Sequence, residues 1–146
     1  MKAVIDTNVL VYDTFEDSIY HKKAKEILDR LDEWFIPAIV IHEYIWLLKS
    51  LNIKIKDIVE KVEEYLYNEK TKLINERRED IFNAINIIYK EGKKVAKYND
   101  KVILSIAMNL KAPVATFDKK LLSQANNFKV GILEWKCSTP IFPHNP

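Results

Sequence analysis

Four acids in this chain stand where side chains could act together: Asp6, Glu43, Asp100 and Asp118. Asp6 follows the apolar run Ala3-Val4-Ile5, with Thr7 and Asn8 beside it to orient it. Asp118 follows Val114-Ala115-Thr116-Phe117, and Asp100 opens a helical segment after Tyr98-Asn99. Glu43 sits among Ile41, Tyr44, Ile45 and Trp46, where a lone carboxylate is costly to bury unless it is paired or bound to a metal. Each acid also has a plain structural reading. Asp6, Asp100 and Asp118 could simply cap helices or favour their first turns, and Glu43 could lie at the surface. Gathered at one sheet edge, they would repel one another unless a cation neutralised them. Oxygen donors of this kind suit Mg²⁺ or Mn²⁺. A cation held there can activate water and stabilise charge on a phosphodiester.

The elements that must position these acids alternate between strands and helices. Strands are expected at Ala3–Ile5, Glu33–Ile36, Thr71–Ile74, Ala112–Thr116 and Lys129–Leu133. From Asp6 the chain should run through Val9-Leu10-Val11-Tyr12 into a turn, and Asp17-Ser18 could cap a helix from about Ile19 to Asp32. Pro37 suits the first turn of a helix over Ala38–Leu51 that is apolar on nearly every side, and so is either deeply buried or part of a subunit interface in a dimer. Ile55, Ile58, Val59, Val62 and Leu66 mark an amphipathic helix. Glu79–Glu91 is another, with Ile81, Ala84, Ile85 and Ile88 on one face and Gly92 as its stop. Further helices begin at Asn99 or Asp100 and at Lys119. This order predicts an α/β fold with a parallel sheet covered on both faces, whose carboxyl edge collects the acids.

Composition narrows the functions. With only Gly92 and Gly131 as glycines, neither a GxGxxG nor a GxxxxGK[ST] loop can be built, which excludes nucleotide sites of those types. The single cysteine, Cys137, excludes an internal disulfide and a Cys-based zinc cluster, and a cytoplasmic location is expected. No run of about 18 apolar residues occurs, so no membrane span is expected. The net charge of +2 is too small to argue for nucleic acid by itself. One domain is expected over residues 1–136, followed by a Pro-rich tail over 137–146. That tail could be a frayed terminus, or Ile141 and Phe142 could dock on the body or on a second subunit.

Val4-Ile5-Asp6-Thr7-Asn8-Val9-Leu10 resembles the opening motif of the PIN-domain nucleases. Pro37 to Glu43, Asn99 to Ala107 and Val114 to Asp118 resemble the family's later motifs, in order. The resemblance spans about residues 2 to 133. It implies a three-layer α/β/α fold with a five-stranded parallel sheet, and Mg²⁺- or Mn²⁺-dependent cleavage of RNA. It makes Asp6, Glu43, Asp100 and Asp118 the catalytic acids, with Asn8 and Thr116 in support. Asp6, Asp100 and Asp118 would be the metal ligands. Among such proteins the chain looks most like VapC-type toxins, which implies an antitoxin partner and a homodimer. Lys101 stands where the family commonly has a small residue, and the Pro-rich tail has no counterpart in the family pattern.

Lys119 and Lys120 after Asp118, and Lys97 and Lys101 around Asp100, could meet RNA phosphates or simply be solvated. Tyr12, Phe15, Tyr98 and Phe117 could stack on unpaired bases, though core roles are more common for such residues. His21, His42 and His144 lack partners for a histidine mechanism and are expected to be structural. Two other readings stay open: a housekeeping PIN nuclease of RNA processing or decay, and an idle PIN-like module that binds RNA or protein. An Asp-nucleophile phosphatase would want an acid two positions after Asp6, and Asn8 stands there.

Overall fold

Ala3, Val4 and Ile5 are fully buried, and the strand they form, β1 (Lys2–Ile5), lies inside a parallel sheet. A strand covered on both faces needs a continuous apolar run rather than alternation, which these three residues supply. The computed structural model describes residues 1–128, 130 and 131. Among them the sheet has four strands in the order β3-β2-β1-β4, with β2 at Glu33–Pro37, β3 at Thr71–Ile74 and β4 at Val114–Ala115. Val4 pairs with Phe35 on one side and Val114 on the other. The fifth expected strand, Lys129–Leu133, falls mostly outside the described residues. Of it, the Gly131 carbonyl accepts from the Val114 N–H at 3.0 Å. The Pro-rich tail also lies outside them.

The helices flank the sheet in two packed groups. α1 (Thr7–Thr14), α2 (His21–Arg30), α3 (Ala38–Ser50) and α4 (Ile55–Leu66) form one. α5 (Arg78–Glu91), α6 (Tyr98–Leu110) and α7 (Lys119–Asn127) form the other. Each aliphatic side chain fully buried between helices and sheet contributes about 1.5–3 kcal/mol. No helix among the described residues is long and apolar enough to cross a membrane.

Several elements depart from the sequence expectation. The segment after Asp6 is helix α1 rather than a lead into a turn, because the Asp6 carboxylate caps the Thr7 N–H and starts a helix at once. α2 begins at His21, and Ser18 rather than Asp17 is used locally, its hydroxyl accepting from the Tyr20 N–H. α4 turns Ile58 and Tyr65 inward and leaves Ile55 and Val59 exposed. α5 likewise buries Ala84 and Ile88 but exposes Ile81 and Ile85. In both helices the apolar residues exceed what the neighbouring helix can cover. Gly92 ends α5 as expected, at φ +63°, where glycine escapes the steric cost of a left-handed residue.

Candidate active site

β1 and β4 are neighbours in the sheet, although the chain visits β2 and β3 between them. The strand order therefore reverses at this pair, and the crevice beyond their carboxyl ends is where open α/β sheets bind ligands. Asp6 leaves β1 there, and Thr116-Phe117-Asp118 leaves β4. The Thr116 hydroxyl, fully buried, donates to Asp6 Oδ2 at 2.6 Å and accepts from the Asp118 N–H at 3.0 Å and from Asn8 Nδ2 at 3.2 Å. Asn8 Oδ1 accepts from the Phe117 N–H at 3.2 Å. The loops after β1 and β4 are thus tied by side chains from both, and both expected supporting residues, Asn8 and Thr116, take part.

The four acids come to this place by different elements. Asp6 caps α1 through Oδ1, at 2.7 Å from the Thr7 nitrogen. Asp118 caps α7, its Oδ1 accepting from the Lys120 and Leu121 N–H groups. Asp100 lies in the first turn of α6. Glu43 lies one turn into α3, and its Oε1 accepts from the Thr7 hydroxyl at 3.0 Å. The capping readings therefore hold for Asp6 and Asp118, yet capping does not exhaust them, because Asp100 and Glu43 act on Asp6 and Asp118 acts on Asp100.

Burial first, then the facing charges of Asp100 and Glu43, push the Asp6 carboxyl up to about 7, against the pull of hydrogen bonds from Thr116 and Thr7. Burial, then Asp118 and Glu43, push Asp100 up to about 6, while Lys97 and Lys101 draw it back. Buried carboxyls facing further carboxyls in one cleft are a combination that a bound cation would relieve. The donors are carboxylate, hydroxyl and amide oxygens, which suit a hard divalent ion. Among the described residues no three His, Cys, Asp or Glu side chains close into a ready-made metal cage. Mg²⁺ does not require one, since it commonly takes one or two carboxylates and completes its shell with water and phosphate. The donor set therefore fits Mg²⁺ or Mn²⁺.

The lysines separate. Lys119 and Lys120 are exposed beside Asp118. Lys101 is 1% exposed; its ammonium pairs with Glu91 at 3.0 Å and lies over the Phe128 ring. It is therefore withdrawn from RNA phosphates, which corrects its sequence reading as a contact. Phe117 packs in the core against Tyr12 and Tyr20. His21 Nδ1 bonds the Tyr12 carbonyl at 3.0 Å, a structural role.

Three positioning residues escaped the sequence reading. Glu76 Oε1 accepts from the Ile39 N–H at 2.7 Å and caps α3, whose N-cap Pro37 has no side-chain acceptor. A helix starting without its own cap was the available signal. Tyr44, next to Glu43, shares a 2.6 Å hydrogen bond with Thr14. The Thr14 hydroxyl also meets the Leu10 carbonyl at 2.7 Å, so its proton goes there and Tyr44 is the donor to Thr14. The Tyr65 hydroxyl donates to Asp13 Oδ2 at 2.7 Å. Together these bonds hold α3 and α4 on α1, and so hold Glu43 against Thr7.

Residues 3–127 match the family model of the PIN domain, and the chain belongs to that family. Its fold is shared with VapC20 of Mycobacterium tuberculosis, a sarcin-ricin loop cleaving toxin, at 12% identity and a TM-score of 0.73, covering 84% of this chain and 94% of that one. VapBC2 from Rickettsia felis, bound to a DNA fragment from its promoter, matches at 19% identity and a TM-score of 0.66, covering 93% and 100%. A toxin–antitoxin complex from Klebsiella pneumoniae matches at 19% identity and 0.59, covering 83% and 90%. No curated protein sequence matches this one.

Proposed function

We infer that this protein is a divalent-metal-dependent endoribonuclease and the toxin of a toxin–antitoxin pair. The observation that carries the reading is the gathering of Asp6, Glu43, Asp100 and Asp118 at the crevice beyond β1 and β4, with Asp6 tied to Thr116 and Glu43 to Thr7. Such a cluster is costly in the free protein and profitable only when a cation and a phosphate enter it. Asp6, Asp100 and Asp118 would hold Mg²⁺ or Mn²⁺. When bound, the ion lowers the pKa of water and stabilises charge developing on a phosphodiester. Thr116 fixes the rotation of the Asp6 carboxylate, and Asn8 holds the β4 loop so that Asp118 faces the same crevice. Thr7 keeps Glu43 turned toward them, where it would hold a second ion or position water around the first. Lys119 and Lys120, exposed directly after Asp118, would be the cations that meet RNA phosphates.

The toxin reading is supported by the fold shared with VapC20 and with toxin–antitoxin complexes. An antitoxin protein is the partner proposed on that ground. A homodimer in the cytoplasm is proposed as well, and exposed Ile81, Phe82 and Tyr89 on α5 offer apolar surface for a second copy. The deciding experiment measures cleavage of single-stranded RNA in Mn²⁺ by wild type and Asp6→Asn, with and without EDTA. Wild type should cleave only with metal and Asp6→Asn should lose nearly all activity. Equal cleavage by both would overturn the site. Growth arrest on expression in bacteria, absent for Asp6→Asn, separates the toxin from a processing enzyme.

A further inference from the structure

One face of α3 runs outward from the acidic site. Ile39, Glu43, Trp46 and Ser50 follow one another at helical spacing, with His42 beside them. With Thr7 and Asn99 they line a groove of about 470 Å³. Glu43 and Thr7, bonded to each other, are in its lining, and Thr7 and Asn99 are the chain neighbours of Asp6 and Asp100, so the groove adjoins the acidic site. Trp46 stands three residues beyond Glu43, a rise of about 4.5 Å along the helix. It is 65% exposed, whereas Tyr44 and Leu48 on the opposite face are buried. The Lys49 ammonium lies 4.9 Å from the Trp46 ring centroid.

We propose that this groove binds an unpaired nucleobase of the RNA substrate, stacked on Trp46 next to the nucleotide whose phosphate meets the acids. The inference rests on the ribonuclease reading and adds to it the residue that seats the base. The Trp46 indole, exposed beside the Lys49 ammonium, offers a π-face, and every base has a π-face that can stack on it. A stacked base at Trp46 lies within one nucleotide's reach of Glu43. Lys49 supplies a cation for the backbone phosphate that must pass beside the ring. His42 and Asn99 place polar groups on the groove wall, where a base edge can be hydrogen-bonded. Continuity with the acidic site and this charge favour RNA over a protein segment, which would need no cation at the ring.

The test has two arms. In the first, Asp6→Asn protein is titrated with a mixed-sequence single-stranded 12-nucleotide RNA while tryptophan fluorescence is followed. Quenching is expected, lost in Asp6→Asn carrying Trp46→Leu and retained with Trp46→Phe only as binding measured by anisotropy of a labelled RNA. In the second, cleavage kinetics are measured on otherwise wild-type protein. Trp46→Leu should raise KM about tenfold, with kcat changed much less, and Trp46→Phe should recover most of the loss. Ile55→Ala, an exposed apolar residue outside the groove, should behave as wild type. An unchanged KM in Trp46→Leu overturns the proposal even if the wild type is a ribonuclease. A shift of Trp46→Leu from dimer to monomer by light scattering, with RNA binding intact, also overturns it and assigns the face to a second copy. If wild type cleaves no RNA but the quench appears and depends on Trp46, the nuclease reading fails while the base site stands.

Discussion

The Thr116 hydroxyl donates to Asp6 Oδ2 at 2.6 Å, joining two residues 110 positions apart at the ends of β1 and β4. Because Thr116 is fully buried, that bond fixes one orientation of the carboxylate and favours its ionised form. Thr116→Val keeps the shape and removes the donor. Metal affinity or cleavage should fall about 10–100-fold, the usual cost of losing a partner that orients a metal ligand. The Mn²⁺ concentration giving half-maximal cleavage is the measurement. An unchanged value would show that Asp6 is oriented without Thr116.

The Asp6 carboxyl has a folded pKa of about 7 against an ordinary value of 3.8. A carboxyl raised in this way favours the folded state fully below its unfolded pKa. That contribution is lost as pH rises from about 4 through about 7, where the folded protein must carry a buried charge. The metal-free protein should therefore lose stability across that window. In EDTA at about pH 8, Asp6→Asn should melt above wild type, by on the order of 1–2 kcal/mol. Near pH 4 the advantage should disappear. Thermal unfolding of both proteins at the two pH values decides it, and a wild type insensitive to pH would contradict the crowded charge.

Asp80 on α5 is a buried acid of the opposite kind. Arg77 grips it with its guanidinium, at 3.0 Å from Oδ1, and the Ser105 hydroxyl of α6 donates to the same oxygen at 2.7 Å. Burial works to raise its pKa, but the bonds from the Arg77 side chain and backbone and from Ser105 outweigh it and hold the carboxyl low. Its stabilising contribution is present above the unfolded pKa and lost as pH falls through the lower folded value. Asp80→Asn should cost about 2 kcal/mol at neutral pH, since charge-assisted bonds become neutral ones. The gap between the two proteins in urea unfolding should shrink as pH falls below about 4.

How far the sequence could be read depends on whether the deciding partner lies nearby in the chain. β1 was legible because Ala3-Val4-Ile5 passes abruptly into Asp6-Thr7-Asn8. The parallel sheet whose carboxyl edge collects the acids was legible from alternating elements, but the order that sets β1 beside β4 was not, because it depends on strand pairing far apart in the chain. Helix α1 was not legible, since Val9 and Leu10 are buried side by side and show no helical period. The Thr7–Glu43 bond and the Glu76 cap on Ile39 join residues more than 30 positions apart, and no local pattern reports them. Lys101 looked like a surface lysine because most lysines are. Its partner Glu91 lies on another helix, and only packing α5 on α6 brings the two together.

Lys119 and Lys120 begin α7 directly after Asp118, and both are exposed. The Lys120 backbone N–H also bonds the Asp118 carboxylate at 2.8 Å, a contact that any residue but proline supplies. Replacing both lysines with alanine therefore removes two charges while leaving the cap. If these ammonium groups meet RNA phosphates, KM should rise several-fold at low salt. The slope of log KM against log salt should fall by roughly 1 to 1.5, at about 0.7 per phosphate contact on a single strand. kcat should stay within about twofold, because a phosphate contact of this kind positions the substrate without touching the reacting bond. A parallel titration of wild type and the double variant from low to physiological salt measures both quantities. Identical slopes would place the RNA backbone on another path out of the crevice.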